Sequence, residues 1–194
     1  SQPTLVALDI ETTGLDSQKD AIIEIGAIRF RGSRIEGEFH TLLHPGRSIP
    51  RNVVDLTGIT DAMVARAPRA IEKLPELEEF VGDDPVVGHN VRFDVGFLQA
   101  ALERCGRAPL TAPTVDTVAL ARRLVRDEVP DCRLGTLAER FRLSHRPSHR
   151  AFLVDALELE LTVVGWTHAT RAMPLSFPVV SRGTKASRGM TYRR

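Results

Sequence analysis

The stretch Leu5-Val6-Ala7-Leu8-Asp9-Ile10-Glu11-Thr12-Thr13-Gly14 decides how the rest of this chain is read. Its first four residues are apolar without alternation, the pattern of a strand buried on both faces in the middle of a sheet. Asp9 and Glu11 come next, at the end of that strand. Side chains two apart in extended backbone point to the same face, so both carboxylates converge on one spot. Such a pair repels and resists desolvation unless a cation binds between its members. Mg²⁺ or Mn²⁺ prefers oxygen ligands of this kind. The plainer alternative is two acids facing solvent at a strand terminus. Thr12-Thr13-Gly14-Leu15 then forms a turn whose backbone amides suit a terminal ribose or phosphate, although the same residues suit an ordinary β-turn.

Outward from this strand, Ala21 to Phe30 and Ile35 to Leu43 read as two more, joined by a hairpin at Arg31-Gly32-Ser33-Arg34. Pro45-Gly46 ends the third strand. Thr60 is expected to cap a short helix from Asp61, and Pro68 to Val81 to form a longer one. Pro85 to Gly88 reads as a short buried strand. Asn90 is placed as the cap of a helix with Phe93, Phe97, Leu98, Ala101 and Leu102 on its apolar face. Thr114 to Asp116 gives another strand. Helices are expected at Thr117 to about Val125, Leu134 to Phe141 and Ala151 to about Val164. Strands first in hairpins, then alternating with helices, predict an α/β chain with a mixed five-stranded sheet flanked by helices.

Two further segments carry acids in suggestive places. In Gly88-His89-Asn90-Val91-Arg92-Phe93-Asp94, Asp94 falls in the first helical turn, where its charge is favourable whether or not it has a ligand. In His149-Arg150-Ala151-Phe152-Leu153-Val154-Asp155, an acid sits inside an apolar helical stretch with a histidine just upstream, a pairing suited to a metal ligand and a general base. A helix-surface acid and a loop histidine would look the same.

Together, Asp9-Ile10-Glu11-Thr12-Thr13-Gly14-Leu15, Gly88-His89-Asn90-x-x-Phe93-Asp94 and His149…Asp155-Ala156 resemble the DnaQ-like DEDDh exonuclease family. Ile23-Glu24-Ile25-Gly26-Ala27, Leu56-Thr57-Gly58-Ile59-Thr60 and Leu134-Gly135-Thr136-Leu137-Ala138 resemble its framework segments, and the likeness covers roughly residues 4–164. The resemblance implies a ribonuclease-H-like fold and 3′→5′ exonuclease chemistry with two Mg²⁺ or Mn²⁺ ions. It implies that Asp9 bridges the ions, that Glu11 and Asp155 complete the shell of the first ion, and that Asp94 supports the second. His149 becomes the general base. Thr12, Thr13, Gly14 and Leu15, with His89, Asn90 and Phe93, become the substrate-binding residues, the amides near Thr12 and Thr13 holding the terminal 3′-hydroxyl.

One departure is visible. The family places its histidine five residues before its last aspartate, whereas His149 lies six before Asp155, with Arg150 between and His145 ten before. One residue inserted within a helix rotates the later positions by about 100°. One inserted in the loop is absorbed, and Pro147 favours a break there.

Composition agrees with a folded enzyme: 42% hydrophobic and 26% charged residues over 194 positions suit one domain with a proper core. A DEDDh exonuclease domain is expected over 1–165 and a basic tail over 166–194. The net charge of +1 divides into +6 on the tail and −5 on the remainder. The tail's six cations, Arg171, Arg182, Lys185, Arg188, Arg193 and Arg194, suit phosphate attraction or an unstructured terminus. No run approaches 18 apolar residues and no leader-like start is present, so a cytoplasmic protein with no membrane role is expected. Cys105 and Cys132 read as reduced thiols and not as a disulfide framework or zinc site. The expected substrate is single-stranded or frayed 3′ ends of DNA, with a DNA polymerase as a candidate partner. Two alternatives stay open: an exonuclease trimming RNA 3′ ends, which would have to recognise the 2′-hydroxyl, and a catalytically impaired module binding nucleic-acid ends or a polymerase.

Overall fold

The structure is a computed structural model that describes residues 3–32 and 34–141. The expected last helix from Ala151, both His149 and Asp155, and the basic tail lie outside the described residues. Within them, β1 (Thr4–Thr12), β2 (Ile22–Arg31) and β3 (Arg34–Leu42) are followed by α1 (Arg51–Thr57), α2 (Asp61–Val64) and α3 (Ala70–Val81). Then come β4 (Val86–Gly88), α4 (Val91–Arg104), β5 (Thr114–Asp116), α5 (Thr117–Leu124), a 3₁₀ turn at Arg126–Glu128 and α6 (Leu134–Arg140). The five strands form one mixed sheet in the order β3-β2-β1-β4-β5.

The apolar run at 5–8 puts β1 in the middle of this sheet, as expected. It pairs antiparallel with β2 and parallel with β4. Its even-numbered side chains, Val6, Leu8 and Ile10, pack with Leu74, Leu77 and Val81 of α3 and Phe97 and Leu98 of α4. Its odd-numbered ones, Leu5 and Ala7, pack with Ile28, Phe30 and Val87 and with Leu120 of α5. The sheet is therefore covered on both faces, which is why β1 lacks polar alternation until its last residues.

Strand β1 runs four residues past the apolar stretch because the antiparallel ladder with β2 continues, Asp9 opposite Gly26 and Glu11 opposite Glu24. Its ladder with β4 is far shorter, covering Val6↔Val86 and Ala7↔Val87. Arg31 pairs with Arg34 across the hairpin, and Gly32 enters it at φ 57°, a backbone state glycine adopts without cost.

Helix α1 was not expected from the sequence. Val53-Val54 favours a strand by propensity, but Pro50 starts the helix and Gly58, at φ 72°, closes it with its amide on Val54 O at 2.8 Å. Thr60 caps α2 as expected, accepting from the Met63 amide at 3.3 Å. Helix α3 starts two residues later than Pro68, whose carbonyl is used by the His44 amide at 2.9 Å. At the head of α4, Asn90 does not cap through its side chain. It adopts a left-handed conformation, φ 62°, and its amide donates to Asp116 Oδ1 at 3.1 Å. The same oxygen accepts from the Val118 amide at 2.8 Å and so caps α5. One carboxylate thereby ties the ends of the parallel strands β4 and β5 to the helices that leave them. Among the described residues no helix is long and apolar enough to cross a membrane.

Candidate active site

Past Ala7 the β4-facing edge of β1 has no strand beside it. Helix α4 fills the gap with its first turn. Asp94 turns inward and its Oδ1 accepts the Ile10 amide at 3.1 Å, a contact spanning 84 residues of sequence. Ile10 lies between Asp9 and Glu11, so this contact brings a third acid to the end of the central strand. All three are fully buried, at 0% exposure. A first-turn acid on a solvated helix end would be exposed, and a terminal strand pair would face water. Neither plainer alternative for Asp9, Glu11 and Asp94 describes this arrangement.

The surroundings of these acids are unusual for a sheet core. Gly26 stands opposite Asp9 and leaves no side chain there, and Glu24 stands directly opposite Glu11. Glu24 is itself fully buried, with Nε2 of His40 on β3 at 2.8 Å from its Oε1. Sequence reasoning missed Glu24 and His40 as neighbours of the site; the available signal was a lone acid among Ile22, Ile23 and Ile25 of an otherwise apolar strand. Burying several carboxylates together is expensive unless cations or donors meet them. The donor set is carboxylate oxygen throughout, which fits a hard divalent cation such as Mg²⁺ or Mn²⁺ better than a nitrogen- or sulfur-seeking metal. Among the described residues no three His, Cys, Asp or Glu side chains form a closed ligand group. Asp155, the fourth acid of the expected set, lies outside them, as does His149.

The turn after Glu11 is tightly organised. Thr12 Oγ1 donates to Gly14 O at 2.5 Å, and the Thr13 amide donates to Ala21 O at 2.8 Å. Thr13 Oγ1 accepts from the Ala21 amide at 3.0 Å, so this hydroxyl is engaged within the loop. Leu15 projects outward, 58% exposed, which is high for a leucine in a chain with a full core. Phe93 lies against Phe97, ring centroids 5.0 Å apart, and is partly buried on the core cluster.

His89 is placed differently from the other expected substrate residues. It is buried, with Nδ1 at 2.9 Å from Thr117 Oγ1, and that hydroxyl in turn donates to Gly88 O at 3.3 Å. It thus joins the end of β4 to the start of α5. Cys105 and Cys132 are both free, and burial pushes the Cys132 thiol above its usual range, away from nucleophilic behaviour.

The RNase T exonuclease family matches residues 6–159. A Mycobacterium tuberculosis protein, named provisionally as a bifunctional exonuclease/endonuclease, is 43% identical over 176 residues, 84% of this chain and 27% of that protein. The DNA polymerase III subunit epsilon of Treponema pallidum is 41% identical over 149 residues, 75% of this chain and 68% of that subunit. The PolC-type DNA polymerase III of Thermotoga maritima is 40% identical over 148 residues, 76% of this chain but 11% of that polymerase. Against several of these relatives the chain therefore corresponds to a minor part of a longer protein. Among solved structures, E. coli exonuclease I in complex with a dT13 oligonucleotide superposes with a TM-score of 0.76 at 20% identity, over 88% of this chain and 42% of that one. That likeness bears on the fold and matches the five-stranded mixed sheet flanked by helices. With the family match over residues 6–159 taking in Asp9, Glu11 and Asp94, the chain belongs to the DnaQ-like exonucleases of the ribonuclease-H-like superfamily.

Proposed function

We propose that this chain is a metal-dependent 3′→5′ exonuclease domain that hydrolyses the terminal phosphodiester of single-stranded or frayed DNA and releases nucleoside 5′-monophosphates. The observation that carries this reading is the Asp94 carboxylate on the Ile10 amide, which brings a third buried acid to the strand end that already bears Asp9 and Glu11. Asp9, Glu11 and Asp94, with Asp155, would hold two Mg²⁺ or Mn²⁺ ions, Asp9 shared between them. When bound, the ions supply Lewis-acid charge for the attacking and leaving oxygens of an in-line displacement.

The chain's own groups do the rest. The Thr12–Leu15 turn receives the terminal 3′-hydroxyl, the Thr13 amide and hydroxyl shaping that turn through Ala21, and Leu15 and Phe93 offer apolar surface to the terminal base. His89 and Asn90 hold the turn between β4 and α4 in shape through Thr117 and Asp116. His149 takes the proton of the attacking water; a histidine with pKa near about 6.5 is poised for that at neutral pH. Relatives named as DNA polymerase III subunits motivate the choice of DNA and of a replicative polymerase as partner.

Digestion of a single strand labelled at its 5′ end, with and without Mn²⁺, tests the reading. A ladder shortening from the 3′ end only in the presence of metal is expected, together with arrest by a 3′-phosphate. Cleavage of a circular single strand at the same rate would instead mark an endonuclease.

A further inference from the structure

The loop from Thr13 to Ala21 is closed at its base by two hydrogen bonds between those residues, and its interior is filled by one side chain. The Asp20 carboxylate folds back into it. Oδ2 accepts the Asp16 amide at 2.9 Å, Oδ1 lies 3.5 Å from Thr13 Oγ1, and the Asp20 amide reaches Asp16 O at 2.7 Å. The carboxylate rests on the α-carbon of Gly14. A Cβ at position 14 would overlap it, 2.5 Å from Cγ and 2.6 Å from Oδ1. From outside, Arg104 donates to Ser17 O at 3.0 Å and the Arg47 guanidinium donates to Lys19 O. The loop is thus fastened at several points, and the large apolar residue it displays is Leu15.

We propose that Asp20 is a positioning residue for the terminal nucleotide: its carboxylate, lodged against Gly14, sets the Thr12–Leu15 turn in the shape that receives the strand end. The inference rests on the function proposed above for that turn. Gly14 is small because the Asp20 carboxylate occupies the space a side chain would need, and Asp20 is acidic because an amide and a hydroxyl of the loop both point at it. Asp20 itself acts through the turn and touches no reacting atom.

Two measurements on the full chain test this: KM and kcat for the labelled single strand with Mn²⁺, and calorimetric binding of thymidine 5′-monophosphate, which needs no turnover. Asp20→Ala should raise KM and weaken monophosphate binding, each about 10-fold, with kcat held within about threefold. Asp20→Asn keeps the shape and one acceptor oxygen and should lose clearly less than Asp20→Ala in both. Gly14→Ala should weaken binding as much as Asp20→Ala, because the new methyl evicts the carboxylate. Since both act on one contact, Gly14→Ala combined with Asp20→Ala should be no worse than the worse single change. Additive losses in the pair, unchanged monophosphate binding in Gly14→Ala, or a defect confined to kcat would each overturn the proposal. Should Asp20→Ala fail to fold, Gly14→Ala and Asp20→Asn decide alone. An unaltered protein that binds the monophosphate but degrades no strand would remove the proposed function and leave this inference standing or falling on the binding data.

Discussion

The two halves of the sheet are built to different rules. On one side, β1, β2 and β3 are antiparallel strands of nine, ten and nine residues, the first two joined by the loop 13–21 and the last two by a tight hairpin. On the other, β4 and β5 are parallel strands of three residues each, separated by a fourteen-residue helix. The long half delivers Asp9 and Glu11 by local alternation along β1 alone. The short half delivers Asp94 by stopping early: because β4 ends at Gly88, α4 can turn in and place its acid on the uncovered edge of β1. Of the proposed acids, two are thus placed by strand periodicity and one by a difference in strand length.

This difference can be attacked from each side. The largest effect is expected in the long half. Asp9→Ala should lower turnover by about 10³-fold or more, since several kcal/mol of transition-state stabilisation depend on the ions it would hold. Melting in EDTA should be unchanged or raised, because the substitution relieves repulsion among neighbouring acids. Near-normal turnover in Asp9→Ala would remove the proposed site altogether.

In the short half, chemistry and architecture should separate. Asp94→Ala leaves the buried Ile10 amide without its carboxylate acceptor and should cost about 1–3 kcal/mol of stability, read by denaturant unfolding, in addition to activity. Asp94→Asn retains an oxygen for that amide while removing the charge. It should therefore melt close to the unaltered protein and still lose about 10²-fold or more in turnover. Full activity in Asp94→Asn would reduce Asp94 to a strand-edge fastener.

The smallest effect belongs to the short half's own fastening. Asp116→Ala removes the cap of α5 and the acceptor of the Asn90 amide, a loss of about 1–2 kcal/mol by analogy with other helix caps. Activity per folded molecule should fall much less than in the Asp94 variants. A deeper loss of activity than in Asp94→Asn would mean that the β4–β5 junction governs the site more than the acid does.

The long half is legible in the sequence and the short half only partly so. Alternation and apolar runs place β1 through β3 within a few residues, because each long strand carries enough positions for its period to register. The three-residue strands are found from their flanking proline, glycine and helix signals. Helix α1 escapes notice because Arg51-Asn52-Val53-Val54-Asp55 carries no helical period, and its limits depend on Pro50 and Gly58. Asp9, Glu11 and Asp94 are each ambiguous alone. Burial settles where they lie, and burial depends on partners up to 84 residues away, which no local window contains. Asp20 is invisible for a related reason: its meaning lies in the missing Cβ of Gly14, six positions earlier.

The Asp94–Ile10 contact also bears on when the chain could first act. During synthesis Asp9 and Glu11 leave the ribosome before Asp94, the partner that closes this contact, which lies 84 residues beyond Ile10. At about 5–20 residues per second, this separation corresponds to roughly 4–17 s of elongation. Throughout that interval the nascent strand carries two acids and no complete arrangement, and the loop that must then close is long enough for its entropy to slow the step. A growing chain of this design therefore cannot bring Asp94 to the strand end beside Asp9 and Glu11 until α4 has been translated and folded against β1.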